Sequence, residues 1–186
     1  MRSPFGGSWS VMARRIQRLT GSGENSLRPL APVRVMFGLR NKGRGAMLFG
    51  KKKRQIVRLL LVEDEPLVAF DNEHVLTEAD YSVVATVDRV SDALDVLAEG
   101  GVDLVLVDVN LADGSGVDVA RAARARGVPV MFVTGACPPE AIELAAGCLS
   151  KPYNPRTLLA AIGAIEAGLQ GNPPKRLPPG FRLFAA

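Results

Sequence analysis

Five side chains of this 186-residue chain have types and positions that could do chemistry together. Glu63-Asp64-Glu65 closes one apolar run, Asp108 closes another, Thr134 a third, and Ser150-Lys151-Pro152-Tyr153 ends a fourth, shorter one. Carboxylates gathered in one place repel: at ~4 Å and an effective dielectric of roughly 20, each pair costs about 4 kcal/mol. Such a cluster needs a cation or protons. Carboxylate oxygens with a backbone carbonyl suit a hard ion that keeps its waters, which points to Mg²⁺. The expected ligands are Glu63, Asp64 and Asp108, with the Asn110 carbonyl as a fourth. An ion held this way keeps positions for phosphate oxygens, Lys151 adds a positive charge, and Thr134 adds a hydroxyl donor. Together they are what stabilising a transferring phosphoryl group requires. Asp108, the acid expected in the middle of the sheet, is the best covalent acceptor.

The elements that must position these groups are legible between residues 55 and 170. Ile56–Val62 reads as a strand buried on both faces, because parallel strands are nearly continuous apolar runs. Pro66 opens a helix, where its missing N–H costs nothing, with Leu67/Val68, Val75/Leu76 and Ala79 at helical spacing. Further strands are expected over 82–87, 102–108, 128–134 and 148–150. Between them lie helices capped by Ser91, with Leu94, Leu97 and Ala98 on one face, and opened at Ser115 or Gly116 and closed by Gly127. A short helix over 139–146 and a final one from Pro155 complete the series. Five β–α units argue for a parallel sheet with helices on both faces. With right-handed crossovers, the expected fold is α/β, a doubly wound flavodoxin-like (βα)5 sheet of five parallel strands in the order 2-1-3-4-5. Its ligand crevice lies outside the carboxyl ends of strands 1 and 3, where Glu63, Asp64 and Asp108 fall.

Each of these residues has an ordinary reading alone. A strand-end Asp is commonly a turn or cap residue, Lys-Pro is commonly a loop, and a buried Thr commonly bonds to backbone. His74 reads as a solvent-side helix residue. The conjunction, each competent residue at the end of the appropriate strand and in order, favours the chemical reading.

Composition bounds the alternatives. At 47% hydrophobic and 23% charged residues the chain is globular, neither wholesale disordered nor a rod. Cys137 and Cys148 make no disulfide framework or zinc spacing, so a reduced, cytoplasmic setting is expected. The formal net charge of +4 misleads, because residues 1–54 hold 13 Lys and Arg against one acid, Glu24. The remainder holds 10 Lys and Arg against 18 acids and is net −8. Nucleic-acid binding inferred from charge would therefore rest on the leader alone.

We read residues 1–54 as a basic leader without regular structure, with Met47 an alternative start just ahead of the fold. Trp9, Met12, Ile16 and Leu19 could form one short amphipathic helix, as in a nucleic-acid arm, a membrane-surface anchor or a transit peptide. Residues 171–186 form a Pro-rich tail whose four prolines exclude a regular helix, ending in Phe181-Arg182-Leu183-Phe184. The tail is expected either to fray or to dock back on the domain or onto a partner.

The residues of the body, Ile56 to Leu169, resemble the receiver domain of two-component response regulators. The likeness rests on Leu-Val-Glu-Asp-Glu-Pro at 61–66, Leu-Val-Asp-Val-Asn-Leu at 106–111 with Asp-Gly-Ser-Gly at 113–116, Phe-Val-Thr-Gly at 132–135, and Ser-Lys-Pro-Tyr at 150–153. It implies that Asp108 accepts a phosphoryl group from a phosphohistidine of a histidine kinase or phosphotransfer protein. It implies Mg²⁺ at Glu63, Asp64 and the Asn110 carbonyl, Thr134 moving onto the phosphoryl group, and Lys151 pairing with it. Receivers usually carry an aromatic residue three positions before the lysine; here that position is Cys148. Phe132-Val133-Thr134-Gly135 resembles the Phe-Ala-Thr-Gly signature of an alphaproteobacterial subgroup that lacks the aromatic switch. That subgroup is associated with general stress signalling and stand-alone receivers. In its place, the loop from Gly135 to Pro139 and the short helix after it are expected to rearrange.

Only 16 residues follow Gln170, too few for an effector unit, so output through protein–protein contact with a downstream partner is expected. The expected protein is thus a phosphoacceptor, not an enzyme, with weak self-dephosphorylation at most. An aspartyl phosphohydrolase would want a second acid two residues after its nucleophile, where this chain has Asn110. Two other readings are a receiver-like scaffold that is never phosphorylated and a DNA-associated regulator acting through the leader.

Overall fold

The computed structural model describes residues 54–184, so the leader helix and the alternative start at Met47 lie outside the described residues. The main strands are β1 (Arg58–Val62), β2 (Ser82–Val87), β3 (Leu104–Val107), β4 (Val130–Thr134), β5 (Gly147–Ser150) and β6 (Phe181–Leu183). The helices are α1 (Pro66–Glu78), α2 (Val90–Glu99), α3 (Gly116–Ala125), α4 (Ala141–Leu144) and α5 (Pro155–Leu169). A small antiparallel hairpin, Asn110–Leu111 against Gly114–Ser115, sits between β3 and α3. Among the described residues no helix is long and apolar enough to cross a membrane.

The sheet order is β2-β1-β3-β4-β5-β6. The first five strands run parallel, in the order expected of the doubly wound fold. The expectation of a five-stranded, all-parallel sheet is corrected by β6, which adds antiparallel to β5 with Cys148 opposite Arg182. The tail docks there because Phe181 and Phe184 bury their rings, to 5% and 8% exposure, and Gly147 offers no side chain to obstruct them. It also covers an edge that would otherwise present unpaired backbone groups.

Alternation along the strands divides the core in two. Leu60, Val62, Val105, Val107 and Phe132 face α2 and α3, where Ala93, Leu97, Val119 and Ala123 meet them. Leu59, Leu61, Leu104, Leu106, Met131 and Val133 face the other side, against Leu76, Leu158, Ile162 and Ile165 of α1 and α5. β1, β3 and β4 therefore have almost no polar face, and each fully buried Leu or Ile contributes roughly 1.5–3 kcal/mol.

Helix starts follow their sequence signals in three cases, the first being Pro66, which opens α1. Ser115 accepts from the Val117 N–H and opens α3, while Asn154 accepts from the Thr157 N–H just before Pro155. Two expectations fail. Ser91 lies inside α2, whose N-cap is Arg89, and Ala98 is exposed. The Val90 N–H is instead taken by the Asp113 carboxylate at 2.9 Å, a cap supplied from 23 residues away that no local pattern reveals. In α1 the inward residues are Ala69, Asn72 and Leu76, and Leu67 is 81% exposed.

Candidate functional site

The site is a rim formed by the carboxyl ends of β1, β3, β4 and β5. Glu63 follows β1 and Asp108 follows β3, and both are nearly buried at 3% and 7% exposure. The backbone fixes them: the Glu63 N–H donates to the Val87 carbonyl and the Asp108 N–H to the Val62 carbonyl, each at 3.0 Å. Asp108 is pressed against the start of α3, where only glycine fits, since a Cβ on Gly116 would lie 1.9 Å from the Asp108 carbonyl oxygen.

Lys151 bridges the two acids. Its Nζ lies 2.6 Å from Asp108 Oδ2 and 3.0 and 2.8 Å from the Glu63 oxygens, with Glu65 Oε1 further off at 3.7 Å. The lysine reaches this position because its N–H donates to the Thr134 carbonyl at 2.8 Å, which closes β5 onto β4. The Lys151–Pro152 peptide bond is cis. Burial alone would lower the ammonium pKa, but its hydrogen bonds to Asp108 and Glu63 and the charge of both outweigh this and hold it well above the usual lysine value. Glu63 is also pushed up: burial raises its pKa, and the contact with Lys151 offsets only part of that rise.

The remaining predicted residues fall nearby with distinct roles. Thr134 is fully buried, and its Oγ1 has no hydrogen-bond partner among the described residues. An unpaired buried hydroxyl costs about 1–3 kcal/mol, which a ligand oxygen accepting from it would offset. The Asn110 N–H donates to Asp108 Oδ1 at 3.2 Å, holding one carboxylate oxygen while Lys151 holds the other. Asp64 is half-buried and stands outside the carboxylate group that the structure assembles. That group is Glu63, Glu65 and Asp108, whose oxygens all lie within 4.8 Å of one another. Glu65, outside the ligand set expected from the sequence, is the N-cap residue of α1 and makes no side-chain cap bond. His74 is on the exposed face of α1, 3.6 Å from Glu78, away from the rim.

One contact was not foreseen. Tyr153 Oη donates to Asn72 Oδ1 at 3.0 Å, tying the segment after Lys151 to α1. Asn72 is 6% exposed on the inward face of a helix, and a polar residue at an apolar position is the signal that could have found it.

The residues present fit a hard divalent ion. Three carboxylates converge, an ammonium already occupies the space between two of them, and an unpaired hydroxyl stands on the same rim. All the donors are oxygens, which favours Mg²⁺ over softer metals.

A doubly wound sheet with acids after its first and third strands, a hydroxyl at the end of the fourth and a lysine after the fifth defines a signalling receiver. The chain belongs to the response regulator receiver domain family, whose pattern matches residues 59–163. It is similar to the cell cycle transcriptional regulator CtrA of Caulobacter vibrioides, 29% identical over 123 residues covering 62% of this chain and 53% of CtrA. It is also similar to the transcriptional regulatory protein DltR of Streptococcus agalactiae, 34% identical over 113 residues covering 57% of this chain and 50% of DltR. The chain thus spans about half the length of these curated relatives. Among solved structures, SdrG from Sphingomonas melonis Fr1 superposes with a TM-score of 0.52 at 33% identity, covering 60% of this chain and 97% of SdrG. Receiver domains act in two-component signalling with histidine kinases or phosphotransfer proteins and bind Mg²⁺ at an acidic pocket, and this chain carries an acidic cluster of Glu63, Glu65 and Asp108.

Proposed function

We propose that this chain is a phosphoacceptor in a phosphorelay and that Asp108 is the acceptor. The observation that carries the reading is the grip on the Asp108 carboxylate: the Lys151 ammonium holds Oδ2 at 2.6 Å and the Asn110 N–H holds Oδ1 at 3.2 Å. The carboxylate is thereby oriented at the mouth of the rim, 7% exposed, with the unpartnered Thr134 hydroxyl on the next strand. In the transfer, an Asp108 oxygen attacks the phosphorus of a phosphohistidine on a kinase or phosphotransfer protein. The P–O bond forms, the P–N bond breaks, and the leaving imidazole takes up a proton. Lys151 offsets the charge gathered on the phosphoryl oxygens, and the Thr134 hydroxyl donates to one of them. Glu63, Asp64 and Asp108, with the Asn110 carbonyl, would hold Mg²⁺. The ion would neutralise phosphoryl charge.

The output is contact with a downstream protein, in a cytoplasmic setting, and the Phe132–Gly135 signature supports a role in general stress signalling. The test is labelling by acetyl phosphate or a kinase. Asp108→Asn is expected to lose the acid-labile ~80 Da adduct while keeping its fold. Undiminished labelling of that variant moves the acceptor elsewhere.

A further inference from the structure

We propose that Tyr153 and Asn72 are positioning residues for Lys151, with a part in phosphoryl transfer that rests on the reading of Asp108 as the acceptor. Lys151 reaches the rim from the short stretch of chain between β5 and α5. On one side its own N–H is fixed to the Thr134 carbonyl at 2.8 Å. On the other, Asn154 caps α5 by accepting from the Thr157 N–H at 2.9 Å. Between these anchors, Pro152 and Tyr153 make no backbone hydrogen bond among the described residues. What fastens them is the bond from Tyr153 Oη to Asn72 Oδ1 at 3.0 Å.

That bond lands on the helix that follows the acids. α1 starts at Pro66, directly after Glu63-Asp64-Glu65, and Asn72 lies on its inward face, 6% exposed, with Ala69 and Leu76. The contacts close a ring: Glu63 leads along α1 to Asn72, Asn72 to Tyr153, and Tyr153 through Pro152 to Lys151, whose Nζ returns to Glu63 at 2.8 Å. A lysine ammonium rides on a flexible four-carbon stem, so a backbone held on both sides limits where it can go. The Tyr153 ring packs against the core cluster that contains Leu76 and Leu158. Burial keeps the phenol above its ordinary pKa, and it stays a donor. An apolar pair would fill the same space without a directional bond. Phosphoryl oxygens arriving at Asp108 must meet the ammonium, and a misplacement of about 1 Å can cost as much as a hundredfold in rate.

The test compares the full-length wild type with Tyr153→Phe and with the double variant Tyr153→Phe/Asn72→Leu, which strands no buried acceptor. The first readout needs no phosphoryl donor. It is the nitrogen resonance of the Lys151 ammonium, assigned by its loss in Lys151→Arg, and the rate at which its protons exchange with water. Both variants should exchange about tenfold faster than the wild type, because the ammonium leaves the carboxylates more often. The urea midpoint should fall in Tyr153→Phe and recover in the double variant. The second readout is labelling by acetyl phosphate with Mg²⁺. Its limiting rate should fall about tenfold in both variants, while the half-saturating donor concentration changes by less than about twofold. Wild-type ammonium exchange in the double variant would overturn the proposal, since the pair would then serve packing alone. Faster exchange with an unchanged limiting rate would overturn the part in transfer. A wild type that takes no label would sink the acceptor reading, and the ammonium readout would still decide whether the pair places Lys151.

Discussion

Lys151 Nζ lies 2.6 Å from Asp108 Oδ2, closer than to any oxygen of Glu63, so the Asp108 carboxylate is the principal partner of the rim's ammonium. The three side chains are 18%, 9% and 2% exposed, which places the ion pairs largely out of water. There, removing one partner costs far more than an exposed bridge is worth, because it strands the other charge.

Lys151→Ala should therefore destabilise the metal-free protein by about 3 kcal/mol. A divalent ion between the same carboxylates would replace the lost charge, so saturating Mg²⁺ should recover most of the deficit by mass action. Urea unfolding with and without Mg²⁺ measures both. An equal deficit in the two conditions would show that the ammonium and the ion do not share these carboxylates.

Glu63 and Asp108 belong both to the ligand set expected from the sequence and to the group the structure assembles; Asp64 and Glu65 distinguish the two. The Glu65 side chain is 67% exposed and only 3.7 Å from Lys151, so it gives up little solvation and holds little. In Mg²⁺ calorimetry Asp64→Ala should weaken binding by about tenfold or more, and Glu65→Ala by less. The reverse order assigns the position to Glu65.

This ambiguity marks where the sequence stopped being readable. The parallel strands were legible because β1, β3 and β4 are buried on both faces and hence apolar throughout. Asp108, Thr134 and Lys151 were legible because a strand's end fixes which rim its residue occupies. Which of two adjacent acids turns inward depends on backbone direction past the strand, and no period encodes it. The sixth strand was hidden because three residues after a run of prolines carry no alternation, and its partner edge is defined only once β5 is in place. The cap on α2 was hidden because Asp113 comes from another loop.

Gly116 is the tightest point beneath Asp108. A methyl group there would meet the Asp108 carbonyl oxygen at 1.9 Å and Val107 Cγ2 at 2.8 Å, and the first of these is backbone that cannot swing aside. Gly116→Ala should cost about 2–3 kcal/mol and slow labelling of Asp108 by about tenfold or more, because the carboxylate is displaced with its backbone. Gly163, which has open space around its Cβ direction in α5, is the control: Gly163→Ala should gain about 0.5–1 kcal/mol and leave labelling unchanged. Equal behaviour of the two variants in unfolding and labelling would refute the close-approach account.

Acid should expose a separate anchor. Asp103 accepts from the Val57 and Arg58 N–H groups at 3.0 and 2.8 Å and from Arg58 Nη2 at 2.8 Å. Burial alone would raise its carboxyl, but these bonds outweigh that and hold it below the usual 3.8. A depressed folded pKa adds stability above the unfolded value and loses it as pH falls through the folded one. Asp103→Asn should thus cost about 1–2 kcal/mol at neutral pH, and its gap from the wild type should close below about pH 3.8. A gap that persists at pH 2–3 would mean the charge is not what matters.

Gly147 leaves the space in which the tail is held. A Cβ on Gly147 would stand 2.6 Å from the Phe181 ring and 2.9 Å from the Arg182 carbonyl oxygen, so Gly147→Ala pushes against both the side chain and the backbone of β6. β6 is three residues long and pairs on one side only, whereas β5 keeps its parallel ladder to β4. The weaker side should yield, at a cost of about 1–3 kcal/mol, with residues 181–184 losing amide protection while β1, β3 and β4 keep theirs. Two amides report the event directly: the Ser150 N–H, which donates to the Gly180 carbonyl at 2.9 Å, and the Phe184 N–H, which donates to the Ala146 carbonyl at 2.9 Å. Ser150 immediately precedes Lys151, so loss of its bond should also reach the rim, seen as a chemical-shift change at the Lys151 amide. Full protection at both amides in Gly147→Ala would mean that the sheet accommodates the methyl group without releasing β6, and that the tail is held by more than the space this glycine leaves.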